Sequence, residues 1–315
     1  MNHNDPFGNE STQASHPYNP NEHYRPLRVQ RGSRLNRRSG NRRGCTGCIL
    51  ILLALLLLAG LPALLYLFMP LQTNLLLLGI DRPPVGTSTS RTDTIVLMRV
   101  NPLAPKVTLL SIPRDLWVPI PGVGENRINT AHFFAEAKQK GSGPQAVLNT
   151  FEADFGVKIP YYMRVQFDGF KEIVNAMGGI TLNFPQDMGG FTTGTHHLNG
   201  DQALGFARDR KGADDFFRMQ HAQMLLSAAA KQMLNPLEWV RLPLIYAAVM
   251  HTVDTNVPFW QIPRLGVAVL RASISGMDSH TLSREMTTPF TTNQGAQVLL
   301  PKWDMIRPLL KQLGF

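Results

Sequence analysis

The chain has 315 residues, of which 43% are apolar and 17% charged, and it carries a formal net charge of +9. That balance excludes a wholly disordered protein and allows one large domain or two small ones. Its two cysteines, Cys45 and Cys48, lie three apart near the N-terminus, so no disulfide framework can support the rest.

Residues 1–46 are polar, rich in Asn, Gly and Ser, and lack aliphatic periodicity, which predicts a disordered tail. Arg25, Arg28, Arg31, Arg34, Arg37, Arg38, Arg42 and Arg43 face only Asp5, Glu10 and Glu22 there, so the high charge belongs mostly to the tail. Residues 47–69 follow as an uncharged apolar run. About 20 such residues match the hydrocarbon core of a bilayer, whereas the apolar core of a cleavable signal is about 7–15. The arginines flank its N-terminal side, which predicts a signal anchor with residues 1–46 in the cytoplasm and residues 70–315 exported. Anionic lipid headgroups are the expected partner of the tail.

Beyond the anchor, residues 74–79 are a continuous apolar run ending in Gly79, the mark of a strand buried on both faces. Residues 94–100 and 106–112 read as two more strands joined by a turn at Asn101-Pro102, and 83–90 as a surface loop. Pro144 opens a helix presenting Val147, Leu148, Phe151 and Phe155 on one face. A strand over 162–167 leads to a helix capped by Asp168 and stopped by Gly178-Gly179; a strand over 180–184 returns. Helices are predicted over 216–234, 237–250, 258–272 and 303–313, with strands near 280–287 and 297–300. Strands alternating with helices predict a single three-layer α/β/α domain with a central mixed sheet over residues 70–315.

Chemistry concentrates at the strand ends. Asp81 and Asp93 flank two buried strands, and a flexible loop between them can bring both carboxylates to one divalent cation; the plain alternative is that each is a turn residue. Arg82 and Arg114 follow strands, where side chains reach the crevice at the sheet's edge. Arg208 and Arg210 alternate, so an extended backbone would send both to one face, and Arg218 opens the next helix. Arginine forks suit phosphate oxygens; the plain alternative is a solvated basic surface, although Asp209, Asp214 and Asp215 in the same segment neutralise it. His196 and His197 sit in a Gly/Thr-rich segment read as loop, and His132, His221 and His251 have helical neighbours and read as structural. No phosphate-binding P-loop, zinc-protease or nucleophile-elbow motif is present, which removes those enzyme classes.

Leu75–Arg82, Arg91-Thr92-Asp93-Thr94, Leu109–Asp115, Arg127–Ala131, Val165–Phe170, Met177–Ile180, Leu198–Leu204 and Arg208-Asp209-Arg210 occur in this order. Together they resemble the LytR-CpsA-Psr family, whose domain is also called the cell-envelope-related transcriptional attenuator; the likeness covers about residues 72–235. The resemblance implies a phosphotransferase that moves a glycan phosphate from a polyprenyl-pyrophosphate carrier to a hydroxyl of peptidoglycan. It implies Mg2+ on Asp81 and Asp93, and pyrophosphate held by Arg82, Arg114, Arg208, Arg210 and Arg218. It also implies an apolar tunnel for the lipid between sheet and helices. Family members continue Gly-Arg-x-x-Arg-Gln-Gln, whereas this chain reads Phe217-Arg218-Met219-Gln220-His221-Ala222-Gln223, leaving Gln220 or Gln223 to compensate.

Phosphoryl transfer asks a protein mainly to position groups and neutralise charge, so Arg114 is also a candidate catalytic residue, with Asp93 or Asp115 as base. Three rival expectations stand: a binder of the lipid-linked glycan without turnover, a hydrolase in which water replaces the sugar hydroxyl, and a transcriptional attenuator. The last lacks a helix-turn-helix, and no nucleic-acid partner is expected.

Overall fold

The computed structural model describes residues 43–68, 72–81, 89–101, 106–209 and 215–315. The chain divides into two units, 1–53 and 54–315. Helix α1 (Arg43–Phe68) supplies all that is described of the first unit and opens the second. Its stretch Gly47–Tyr66 is long and apolar enough to cross a membrane and has none of its residues buried. Among the described residues it is the one candidate anchor, and Pro62 is carried inside it. Of the predicted tail, residues 1–42 lie outside the described residues, and Arg43 onward is helical.

The second unit is built on β1 (Thr73–Ile80), β2 (Thr92–Asn101) and β3 (Lys106–Ser111), an antiparallel meander. A small hairpin follows, β4 (Trp117–Ile120) and β5 (Gly124–Arg127), then α2 (Thr130–Lys138) and α3 (Gly143–Phe155). Next come β6 (Tyr161–Gln166), α4 (Phe167–Ala176), the hairpin β7 (Ile180–Phe184) and β8 (Gly194–Leu198), α5 (Gly200–Arg208) and α6 (Asp215–Gln232). A 3-10 segment Pro236–Arg241 leads to α7 (Leu242–Thr252) and β9 (Val253–Thr255); a second, Phe259–Gln261, leads to α8 (Ile262–Ser275). The chain closes with β10 (Asp278–Thr281), β11 (Thr287–Thr291), β12 (Gln297–Pro301) and α9 (Trp303–Leu313).

The central sheet has six strands in the order β10-β3-β2-β1-β6-β9. It is mixed: β1 runs parallel to β6, and β3 to β10, while β1–β2, β2–β3 and β6–β9 are antiparallel. Because side chains alternate along a strand, the apolar runs serve both faces. Leu76, Leu78, Ile95, Leu97 and Leu110 pack on one face with Phe151 of α3 and Ile306 of α9. Leu75, Val96, Met98 and Leu109 pack on the other with Leu265 and Ala272 of α8. A third cluster joins Val174 of α4, Phe184 of β7, Phe206 of α5 and Leu225 of α6. Phe151 is fully buried, and truncating such a ring costs about 3–5 kcal/mol.

Several expectations change on the backbone. Gln166 holds the N-cap position of the helix after β6 without a side-chain capping bond, and Asp168 lies in its first turn, so the carboxylate meets the helix's positive end instead of closing it. His196 and His197 lie in β8, paired with Leu182 and Thr181, because the Gly/Thr-rich segment closes a hairpin. Arg208 ends helix α5, which Asn199 and Gln202 start with a capping box, so it leaves from a helix end and not from a strand; Arg210, its expected partner on one face, lies outside the described residues. The strand expected at 280–287 divides into β10 and the start of β11 around the turn Arg284–Met286. Of the expected surface loop, Thr89 and Ser90 are buried, and 83–88 lie outside the described residues.

Candidate functional site

The site begins where β1 and β2 part. Their register runs Gly79↔Thr94 and then Ile80↔Thr92, so Asp93 is one residue too many in β2 and leaves the ladder as a bulge. Bulges of this kind re-aim a side chain at a sheet's end. Gly79 fits closely beside it: a Cβ there would stand 3.0 Å from Cβ of Thr94, which would have to give way. Asp81 follows β1 directly, and both aspartates line a cleft of about 460 Å³ together with Ser90, Arg91, Arg114, Asp115 and Arg127.

Within the cleft, Arg114 Nη1 donates to Asp93 Oδ1 at 2.6 Å, and Arg218 Nη2 stands 3.8 Å from Asp93 Oδ2. Arg208, from the end of α5, donates to Asp81 Oδ2 at 3.1 Å and lies 5.1 Å from the ring centroid of Phe167. Asp115 is shared by Arg114 and Arg127 at 3.6 and 3.3 Å. Elements remote in sequence thus bring Asp81, Asp93, Arg114, Asp115, Arg208 and Arg218 together. Arg82 and Arg210 lie outside the described residues. Among the described residues, counting Arg91 and Arg127, arginines outnumber the aspartates, and the surplus positive charge suits a polyanion.

The two glutamines behave differently. Gln220 is exposed on α6. Gln223 directs its amide nitrogen to Ser111 Oγ at 2.9 Å and to the His280 carbonyl at 2.5 Å, tying α6 to the edge of the sheet. His221, which stands at the family's second arginine position, packs against Phe206 of α5. It stacks on Phe206 with centroids 4.1 Å apart, and its Nδ1 donates to the Phe206 carbonyl at 2.9 Å. Burial lowers its pKa, so it packs as a neutral ring.

Ala222 faces an apolar cavity of about 270 Å³ between the sheet and helices α4 and α6. Leu77 and Gly79, Thr94 and Val96, and Met163 and Val165 line its floor, each pair two residues apart and therefore on one face. Thr94 is next to Asp93, and Phe167 carries Arg208 above it, so the charged cleft and the apolar cavity share the end of β1 and the start of β2.

Among the described residues no group of three or more His, Cys, Asp or Glu forms a metal cluster. The donor set that remains, Asp81 and Asp93, fits a hard cation such as Mg2+, which binds one or two carboxylates and completes its shell with phosphate oxygens and water. Roles for Arg91, Arg127 and Asn129 in the cleft escape the sequence reading, although all three fall within its quoted motifs.

A second charged cluster supports the rim. His132 of α2 donates from Nδ1 to the Ser90 carbonyl at 3.0 Å and accepts from Arg164 at Nε2, also at 3.0 Å. Burial lowers its pKa, which keeps the acceptor nitrogen free of a proton. Arg164 of β6 also pairs with Glu136 and, at 2.8 Å, with Asp254.

Comparison with known proteins agrees with this architecture. The regulatory protein MsrR of Staphylococcus aureus is 31% identical over 195 residues, covering 59% of this chain and 57% of the relative. The polyisoprenyl-teichoic acid–peptidoglycan teichoic acid transferase TagU of Oceanobacillus iheyensis is 38% identical over 165 residues, 50% of this chain and 51% of the relative. The chain therefore matches only about half the length of these curated relatives. Among solved structures, B. subtilis TagV superposes with a TM-score of 0.64 at 24% identity, covering 76% of this chain and 96% of that one. TagT bound to LIIa-WTA gives 0.63 at 22% identity, with 78% and 91% covered. These likenesses establish the fold. The LytR_cpsA_psr family model matches residues 71–312, and the chain belongs to that family.

Proposed function

We propose that the protein is a membrane-anchored glycopolymer phosphotransferase. Its donor is a polyprenyl-pyrophosphate-linked glycan and its acceptor a hydroxyl of peptidoglycan, with α1 as the anchor and residues 70–315 outside the cytoplasm. The observation that carries the reading is the junction of an arginine-rich cleft with an apolar cavity at the end of β1 and β2. An amphiphile with a doubly phosphorylated head and a prenyl tail is the substrate class that needs both. The name of the TagU relative, a teichoic acid transferase acting on peptidoglycan, points the same way.

In this reading Arg114, Arg208 and Arg218, with Arg82 and Arg210, grip the pyrophosphate. Asp81 and Asp93 hold Mg2+, which would neutralise phosphate charge when bound. The acceptor oxygen attacks the glycan-side phosphorus, and the phosphoanhydride bond to the lipid phosphate breaks. The hydroxyl proton goes to a carboxylate, with Asp93 and Asp115 both in the cleft. The arginines stabilise the charge that grows on the departing lipid phosphate. The anhydride itself drives the transfer, so no ATP is required.

The test is to reconstitute the full chain in nanodiscs with the lipid-pyrophosphate glycan, Mg2+ and peptidoglycan. The expected result is glycan phosphate covalently joined to peptidoglycan, and its loss in Asp93→Ala. No transfer by the wild type, or equal transfer by the variant, overturns the reading. Free glycan phosphate without joined product would identify a hydrolase instead.

A further inference from the structure

The segment from Pro236 to Thr252 is apolar yet has no buried residue: neither its 3-10 turn nor α7 contributes a single side chain to the interior. Leu237 and Val240 are each 80% exposed, Trp239 and Leu244 are exposed near them in the chain, and Phe259 and Trp260 are exposed in the later 3-10 turn. Helix α7 is held by α4, where Gly169 approaches so closely that a Cβ would meet Thr252 at 2.6 Å. Large apolar side chains exposed in this number are a liability in water and mark a partner surface.

Something specific identifies the partner. Tyr66, the last residue of the membrane-length stretch, donates its hydroxyl to the Trp260 carbonyl at 2.7 Å, and Arg264 lies 4.6 Å from its ring centroid. Trp260 and Phe259 therefore sit at the level where α1 leaves its apolar stretch. Aromatic rings with one polar handle are the side chains enriched at that depth, and arginine stems reach across it.

We infer that the face formed by Pro236–Arg241, α7 and Phe259–Gln261 lies in the interface of the lipid bilayer that α1 enters. The domain then rests on the membrane at two places, the anchor and this face. A consequence rests on the transfer reading. Val253, directly after α7, lines the apolar cavity with Ile173 of α4 and Met177 just after it, so the cavity assigned to the prenyl chain reaches the residue next to the proposed face.

The chain's four tryptophans make the inference testable without substrate, so failure of transfer leaves it intact. Trp117 and Trp303 lie in β4 and α9, while Trp239 and Trp260 lie in the proposed face. The full chain is reconstituted in vesicles containing lipids brominated on the acyl chains, and fluorescence quenching is measured. The variant Trp239→Phe with Trp260→Phe should lose most of the quenching, whereas Trp117→Phe with Trp303→Phe should keep it. Trp239 decides, because Trp260 already touches the anchor. A chain retaining Trp239 alone should still be quenched, and adding Val240→Asp with Leu244→Asp should abolish that signal at an unchanged melting temperature. An unquenched Trp239 overturns the inference. So does a chain whose Trp239 is shielded instead by a second copy, read as cross-linking between cysteines placed at Leu237.

Discussion

The arginine cleft and the Arg164 cluster use the same residue types around neighbouring strands, yet they are built for opposite ends. Arg164 has Glu136, Asp254 and a neutral His132 around it, so its charge is met within the protein. In the cleft, Asp93 is shared by two arginines, Asp115 by two, and the positive charge exceeds the negative. A closed cluster stiffens; a cluster with surplus charge beside open volume is ready for a ligand. Because His132 also holds the Ser90 carbonyl, the first cluster supports the rim of the second.

Substitutions should separate the two. Arg164→Ala leaves Glu136 as a nearly buried carboxylate without its cation, and losing one partner of such a pair costs about 3 kcal/mol. For a domain of this size that lowers the melting temperature by about 10 °C, measurable by calorimetry in detergent. Arg208→Ala should do the reverse. Its side chain is half exposed, so the melting temperature should hardly move, while glycan transfer falls by about 10²-fold if it stabilises the departing phosphate. Equal thermal losses in both variants would erase the distinction. Acid should weaken the Arg164 side: His132 is neutral in the fold and titrates near 6.5 when unfolded, so its contribution is intact above 6.5 and declines as pH falls below it, and the buried His221 of α6 should add a loss of the same sign.

The comparison also explains what could be read in advance. The strands around Leu75–Leu78, Ile95–Met98 and Val107–Leu110 are legible because burial on two faces leaves an unbroken apolar run. Helix α9 is legible because its apolar spacing is helical from end to end. Convergence of Asp81, Asp93 and Arg114 can be expected from strand ends, but the bulge that frees Asp93 depends on cross-strand register, which no local pattern encodes. The short hairpin β4–β5 is a tertiary decision too, taken where Leu116 bridges Leu299. Helix α5 is missed for a nearer reason: Asn199 and Gln202 form a capping box that spacing reveals, while the alternation of arginines at 208 and 210 suggests extended backbone.

That helix offers a sharper test of position against charge. Its first residue, Gly200, approaches α4 so closely that a Cβ would lie 2.5 Å from the Lys171 carbonyl, a backbone atom that cannot step aside. Gly200→Ala should therefore shift α5 and the Arg208 it carries. Overpacking of this kind costs about 1–3 kcal/mol. Transfer should fall although every charge in the cleft is retained; a wild-type rate would mean that Arg208 reaches its ligand without the helix holding it there.

The smallest effect lies outside both clusters and has the opposite sign. Asp154 sits in the last turn of α3, where the helix's negative end disfavours an anion, and its Oδ2 is buried without a hydrogen-bond partner. Burial pushes its pKa up to about 6, above the 3.8 of the unfolded chain. The folded state therefore binds this proton more tightly, so the ionised carboxylate weakens the fold above pH 6 and the penalty disappears as pH falls toward 4. Asp154→Asn should raise stability at pH 7.5 by about 1 kcal/mol, below the ceiling of roughly 3 kcal/mol that the pKa gap allows. The gain over wild type should shrink through pH 6 and be gone near pH 4. A gain that persists at pH 4 would assign the effect to packing, and no gain at pH 7.5 would mean that solvent reaches the carboxylate in α3.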